Sequence, residues 1–240
     1  MSDTIFQNLI DNTRDLRRRL LWSILSISIF AGGTYYFRGY VLDFIQRPLT
    51  DKKLIFIHPT EAFFTYIKVS LFVGLIVSAP FILYQIIQLL VPYMEDNEKY
   101  SRGFLASIFI SGSVFFYLGA GFALLGVLPF ALDFLKGVSG ENVQATFTIG
   151  NYASFVMLFT LIFGLVFEMP VVSYGLAKLG LIDKKTLTSK WRIAFVGAAV
   201  LAAVLTPPDP ITQMFLWGPL LLLYGISIVL VGLANRDEQS

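Results

Sequence analysis

Cysteine is absent from these 240 residues and histidine occurs once, as His58. No disulfide framework or thiolate metal site is therefore possible, and no histidine cluster exists to hold zinc or haem. Charge is scarce as well. Asp, Glu, Lys and Arg together make up 14% of the chain, against about 25% in soluble domains. Hydrophobic residues make up 56%. A charge deficit of this size does not fit a solvated globule and points to a multi-pass membrane protein. About 20 apolar residues cross a bilayer as a helix, so the length accommodates a single all-α membrane domain, 1–240, with six transmembrane helices. No cofactor and no nucleic-acid partner are expected.

Along the chain the hydrophobic runs place spans at about 20–37, 62–91, 103–128, 151–177, 193–205 and 214–233. Residues 1–19 are polar and end in Arg17-Arg18-Arg19, with Asp15 four residues before Arg19. That spacing suits an acid-to-base pair on a helix at the membrane surface. Arginines before an apolar run also resemble a secretory leader, but Gly32-Gly33-Thr34-Tyr35-Tyr36 offers no good cleavage site, and further spans follow. A short helix is expected around Tyr40–Ile45. The second span is about 45 Å long at 1.5 Å per residue and carries Pro80, which predicts a kink. Its Gly74-x-x-x-Ser78 pair permits close helix approach. Pro129 is expected to break the third span, and Pro170 lies inside the fourth. Residues 180–192 read as a basic loop. The fifth span, Ile193–Leu205, reaches only about 20 Å and calls for local bilayer thinning. Pro219 lies inside the sixth.

Orientation follows from Lys and Arg. The termini and the loops after the second and fourth spans carry twelve of them, and the opposite side carries five. Both termini are therefore expected in the cytoplasm, in the cytoplasmic (inner) membrane. Two stretches, Ala79-Pro80-Phe81-Ile82-Leu83-Tyr84 and Met169-Pro170-Val171-Val172-Ser173-Tyr174, share a Pro-apolar-apolar-x-Tyr pattern. Both lie on helices running the same way, so they are not an inverted transporter repeat.

No catalytic constellation emerges, and an enzyme is not expected. A Ser/His/Asp triad would need His58, a loop residue without partners. An intramembrane aspartyl protease needs two carboxylates in the spans, and only Glu168 is clearly there. A phosphate-binding Gly-rich loop is missing. Glu168 is the conspicuous group, because an acid near mid-bilayer is costly, by roughly 2.5 to 3.5 kcal/mol on insertion scales. The residues leave two uses open: a polar contact for another helix, or a carrier group in a proton- or solute-coupled secondary transporter. Asp15, Glu95, Asp96 and Glu98 lie on or near the cytoplasmic face, and Lys68 enters the second span near the outer one.

Seven runs, in order, resemble the TatC family, the core subunit of the twin-arginine protein translocase. They are Asn12-Thr13-Arg14-Asp15-Leu16-Arg17-Arg18-Arg19-Leu20; Pro48-Leu49; Pro59-Thr60-Glu61-Ala62-Phe63-Phe64 with Ile67-Lys68; Ser78-Ala79-Pro80-Phe81-Ile82-Leu83-Tyr84-Gln85; Glu98-Lys99; Phe167-Glu168-Met169-Pro170; and Thr206-Pro207-Pro208-Asp209. The resemblance implies a signal-peptide receptor that moves folded proteins with TatA/TatB-type single-span partners, in an oligomeric complex driven by the proton-motive force. It implies that Asp15 and Glu98, with Arg17 beside them, bind the paired arginines of a signal peptide. Glu168 becomes a docking point within the membrane, and Pro48, Phe63, Lys68, Pro80 and Asp209 fall on further motif positions. The sequence departs from the family pattern at Asn12, Asp15, Leu89 and Gly225. Asp15 is one methylene shorter than the family's glutamate.

Overall fold

The computed structural model describes residues 2–47, 54–90, 102–138, 148–205 and 210–236, with backbone alone at 2–14, 59, 90, 135–138, 211, 212 and 236. Within these residues the chain is all-α, and its one β pairing is an isolated parallel bridge between Ile55 and Thr148. The helices are α1 (Ser2–Tyr36), α2 (Arg38–Gln46), α3 (Pro59–Leu90), α4 (Arg102–Phe122), α5 (Leu128–Val138), α6 (Ile149–Phe167), α7 (Met169–Lys178), α8 (Lys184–Ser189), α9 (Trp191–Leu205) and α10 (Pro210–Arg236). Four stretches are long and apolar enough to cross a membrane: Thr60–Leu89, Arg102–Phe134, Ile149–Lys178 and Gln213–Asn235. A fifth is the pair Asp15–Tyr36 and Arg38–Gln46, bent by 83°, if that pair is one span; Trp191–Leu205 is shorter.

Three expectations change. The polar residues before Leu20 form no separate surface helix. They continue into the apolar run as the single helix α1, because no proline or glycine interrupts the chain before Gly32. Pro129 does not end the third span either. A π-turn at Ala123–Val127 joins α4 to α5, and Leu128 N–H donates to the Ala123 carbonyl five residues back. The wider turn lets a helix run through a residue that lacks an amide donor. The basic segment after the fourth span is not simply a loop, since it contains α8. Gly180, at φ +69°, stops α7: its N–H bonds the Ala177 carbonyl at 2.9 Å while Leu181 N–H bonds that of Leu176 at 3.0 Å. This is the Schellman arrangement, which needs a left-handed residue. Asp183 then starts α8 by accepting from the Thr186 amide at 2.7 Å and from its hydroxyl.

The contacts group the chain into two compact units, residues 1–44 with 62–113, and 45–61 with 114–240. In the first, α1 lies against α3 at Gly74. A β-carbon there would fall 2.7 Å from Ala31 N and 2.8 Å from the Ile27 carbonyl oxygen, so only glycine admits this backbone approach. Ser78, one turn on, is fully buried and donates to the Leu75 carbonyl at 3.1 Å. Arg19 reaches α3 as well, donating to Gln85 Oε1 at 3.4 Å; no Asp15–Arg19 pair forms. At the far end of α1, Arg38 donates to the Tyr35 carbonyl at 3.3 Å and lies over the Tyr35 and Tyr66 rings at 4.9 and 5.7 Å.

In the second unit the core gathers Ala123, Val127, Phe159, Phe163, Ala202, Leu205, Leu216 and Leu220. Glycine notches set the approach of α4 to α6. A β-carbon on Gly119 would strike the Phe163 carbonyl and Phe167, and one on Gly164 would lie 2.9 Å from the Phe116 ring. Phe130 stacks on Phe215 at 3.9 Å, and Trp217 donates from its indole to the Phe195 carbonyl at 3.1 Å. The Tyr224 hydroxyl donates to the Leu187 carbonyl at 2.7 Å, which holds α8 on α10. Pro80 and Pro219 lie inside α3 and α10, which run on across them.

Candidate functional site

Glu168 occupies the break between α6 and α7. Pro170, in the first turn of α7, has no N–H to return to the Val166 carbonyl, so the α-helical ladder cannot continue unchanged. Glu168 keeps right-handed dihedrals, φ −70° and ψ −19°. Its N–H turns back to the Leu165 carbonyl at 3.2 Å, and its own carbonyl accepts from Val172 N–H at 2.9 Å. The side chain is half-buried, and Oε2 is fully enclosed without a hydrogen-bond partner among the described residues. Phe167 beside it packs on Phe122 at 5.6 Å. Most hydroxyls in the spans bond within their own helix, as Thr160 does to the Val156 carbonyl and Ser227 to that of Leu223. Glu168 has no such local solution, and an unpartnered buried carboxylate oxygen marks a place where another polar group belongs.

The second candidate site lies on α1. Asp15 is exposed, with neither a hydrogen bond nor an ion pair to any described residue. Arg17 is exposed too, but two residues on it stands about 200° round the helix from Asp15. Glu98, expected to face the same ligand, lies outside the described residues, as do Pro48 and Asp209. Phe63 is exposed and meets Phe64 edge-on at 5.7 Å, Lys68 is exposed, and Pro80 is half-buried. Of the motif departures, Gly225 has open space around it. Among the described residues no group of three or more His, Cys, Asp or Glu could hold a metal ion.

Reading the sequence overlooked Glu61, noted there only as part of a motif. Its Oε1 accepts Gly150 N–H at 3.0 Å and its Oε2 accepts Ile57 N–H at 3.0 Å. One carboxylate thereby joins the start of α3, the segment before it and the first turn of α6, where an acid also complements the helix dipole. Gly150 permits this, because a β-carbon there would lie 2.9 Å from Oε1. Tyr152 adds a second tie, donating to the Ile45 carbonyl at 2.7 Å. The signal available in sequence was an acid in a helix's first turn, which says nothing of a partner 89 residues away.

Comparison with known proteins places this arrangement. The family described as Sec-independent protein translocase protein (TatC) matches residues 11–219. The chain is 39% identical over 237 residues to the Sec-independent protein translocase protein TatC of Aquifex aeolicus (strain VF5), spanning 96% of this chain and 97% of that one. It is 36% identical over 247 residues to the protein of the same name from Campylobacter jejuni subsp. jejuni serotype O:2, spanning 98% and 99%. A crystal structure described as the twin arginine translocase receptor TatC is 37% identical, with a TM-score of 0.81, and the match covers 94% of this chain and 100% of that one. Fold and site define a multi-pass α-helical membrane protein with an isolated carboxylate at a helix break inside one span. The chain belongs to the TatC family of Sec-independent protein translocase proteins.

Proposed function

We propose that this chain is the signal-peptide receptor and core of a twin-arginine translocase, with Asp15 and Glu98 binding the paired arginines at its cytoplasmic face. The observation that carries this reading is the exposed Asp15 carboxylate, which lies among arginines yet is bonded to neither Arg18 nor Arg19. Among the described residues nothing occupies it, which leaves it open to a guanidinium from outside, and guanidinium–carboxylate pairing is bidentate and geometry-selective. Two acids on separate cytoplasmic segments account for a requirement for two arginines. Arg17, turned away from Asp15, adds positive field without occupying that carboxylate. The chain acts as a receptor and makes or breaks no bond, so it is not an enzyme.

Six spans complete the proposal, with α1 and the short α9 as first and fifth, and with both termini in the cytoplasm of a cell whose inner membrane holds the protein. Pro48, Phe63, Lys68, Pro80 and Asp209 support the fold of the receptor at motif positions. Single-span TatA/TatB-type subunits dock against Glu168, whose unpartnered oxygen receives a polar group from the partner's helix. The whole chain, 1–240, works as one membrane domain within an oligomeric complex powered by the proton-motive force. A secondary transporter with Glu168 as carrier draws no support from the relatives named above.

The test is copurification of the chain with a twin-arginine precursor, compared with a twin-lysine version. The expected result is retention of the arginine form alone, with retention falling about tenfold in Asp15→Ala, the effect of one charged hydrogen bond. Equal retention of both precursors rejects the proposal. Undiminished retention in Asp15→Ala rejects that residue's role.

A further inference from the structure

Arg17, Arg18, Leu21, Trp22 and Leu25 line a groove of about 380 Å³ on α1. At 100° per residue these side chains lie broadly on the face opposite Arg19, Ile27 and Ala31, the residues through which α1 meets α3. The groove is therefore turned away from α3, and its lining is exposed: Leu21 at 57%, Trp22 at 49% and Leu25 at 47%. Along the helix axis it changes character. Two guanidiniums form one end, Leu21 and the Trp22 indole follow side by side about one turn on, and Leu25 continues to about 12 Å from Arg17. Neither Arg17 nor Arg18 bonds a carboxylate among the described residues. Asp15 stands about 110° round the helix from the midpoint between them and bonds neither, so it leaves their donors open to the groove.

We infer that this groove is a binding site for an anionic phospholipid, with the phosphate between Arg17 and Arg18, the glycerol region at Trp22 and an acyl chain along Leu21 and Leu25. The order of groups matches such a molecule. Guanidinium is weakly hydrated and presents a fork of donors to phosphate oxygens. Indole rings favour the boundary between headgroup and hydrocarbon. An acidic peptide would satisfy the arginines but leave the leucines uncovered, and a zwitterionic lipid would add a cation beside two others. A bound phosphate also lowers the positive potential around Asp15, where a cationic ligand has to approach.

The test uses the full-length chain purified in detergent, delipidated, and read by native mass spectrometry without any peptide, so its result is separate from the peptide-binding proposal. Phosphatidylglycerol is expected to be retained in preference to phosphatidylcholine, and millimolar inorganic phosphate to leave it in place. Arg18→Gln with Trp22→Ala is expected to lower phosphatidylglycerol retention about fivefold or more, since one cation near a lipid surface contributes on that scale. Arg18→Lys, which keeps the charge, retains most of it. Where the double variant does not purify, Arg18→Gln alone serves, because that side chain is exposed and makes no bond to any described residue. Equal retention of the two lipids, displacement by free phosphate, or unchanged retention in the variant overturns the inference.

Discussion

Asp15 and Arg19 are one helical turn apart, a spacing that favours an ion pair, yet Arg19 is drawn to Gln85 on α3 and Asp15 stays exposed. The same contrast runs through the other acids. Glu61 and Asp183 each accept two hydrogen bonds, whereas one oxygen of Glu168 has none among the described residues. The first two hold backbone in place, and for the third the structure shows no such bond at Oε2 among the described residues. For Asp183, the Thr186 hydroxyl and then its amide hold the carboxyl below the ordinary value of 3.8. A lowered folded value means that its stabilising effect is complete above that ordinary value and fades as pH falls through the lower one. The protection of α8 amides, taken relative to the intrinsic exchange rate at each pH, is therefore expected to be constant near neutral pH and to fall at acid pH; in Asp183→Ala it is low throughout. For Glu168→Gln, which preserves shape and removes the carboxyl group, the expected outcome is an unchanged fold with several-fold weaker crosslinking to a single-span partner. Unchanged crosslinking refutes the docking role.

At the scale of elements, helix ends and helix contacts are where the chain departs from regularity. The π-turn at Ala123–Val127 and the break at Glu168 are both responses to a proline a few residues ahead. Pro129 is passed by widening the helix, and Pro170 is met by ending one helix and starting another. The close approaches depend on glycine. Gly74→Ile drives side-chain atoms into the α1 backbone, where Ala31 N lies 2.7 Å from a β-carbon, and overpacking of this kind costs about 1–3 kcal/mol. A lowered thermal midpoint in detergent is the expected reading. Gly39→Ala is the matched control, because nothing lies within 4 Å of a β-carbon there. Gly150→Ala tests the Glu61 clamp: its β-carbon would lie 2.9 Å from Oε1, and faster amide exchange at the start of α6 is expected.

For the whole molecule, the proposal of six spans with both termini on one side is open to a clean test. The chain has no cysteine, so single cysteines report their own exposure to a membrane-impermeant thiol reagent without background. Ser2→Cys and Ser240→Cys are expected to label from the cytoplasmic side and Thr50→Cys from the outer side. Labelling of the two termini from opposite sides would require an odd number of spans. That result would reject the six-span proposal, since either the bent pair α1–α2 or the short α9, 15 residues and about 22 Å long, would then fail to cross.

Much of this architecture is present in local sequence. Apolar runs set where helices cross the membrane, because burial of side chains in hydrocarbon needs no specific neighbour. A lone carboxylate stands out against that background, as Glu168 does, whereas Asp15 lies in a polar, arginine-rich segment and only its place in a family-like motif singles it out. The Gly74–Ser78 pair was legible for the same reason, as a notch in a surface of larger side chains. Other features depended on residues far apart in the chain. Glu61 bonds an amide 89 residues away and Arg19 an amide oxygen 66 residues away, and no periodicity records such partners. Whether Pro129 stops a helix or is absorbed by a π-turn was decided by packing around Ala123 and Val127 in the core. The sequence by itself determined that this is a helical membrane protein and where its isolated charges lie. Tertiary structure alone decided which of those charges are satisfied, because hydrogen bonding is settled by where the backbone of other segments comes to rest.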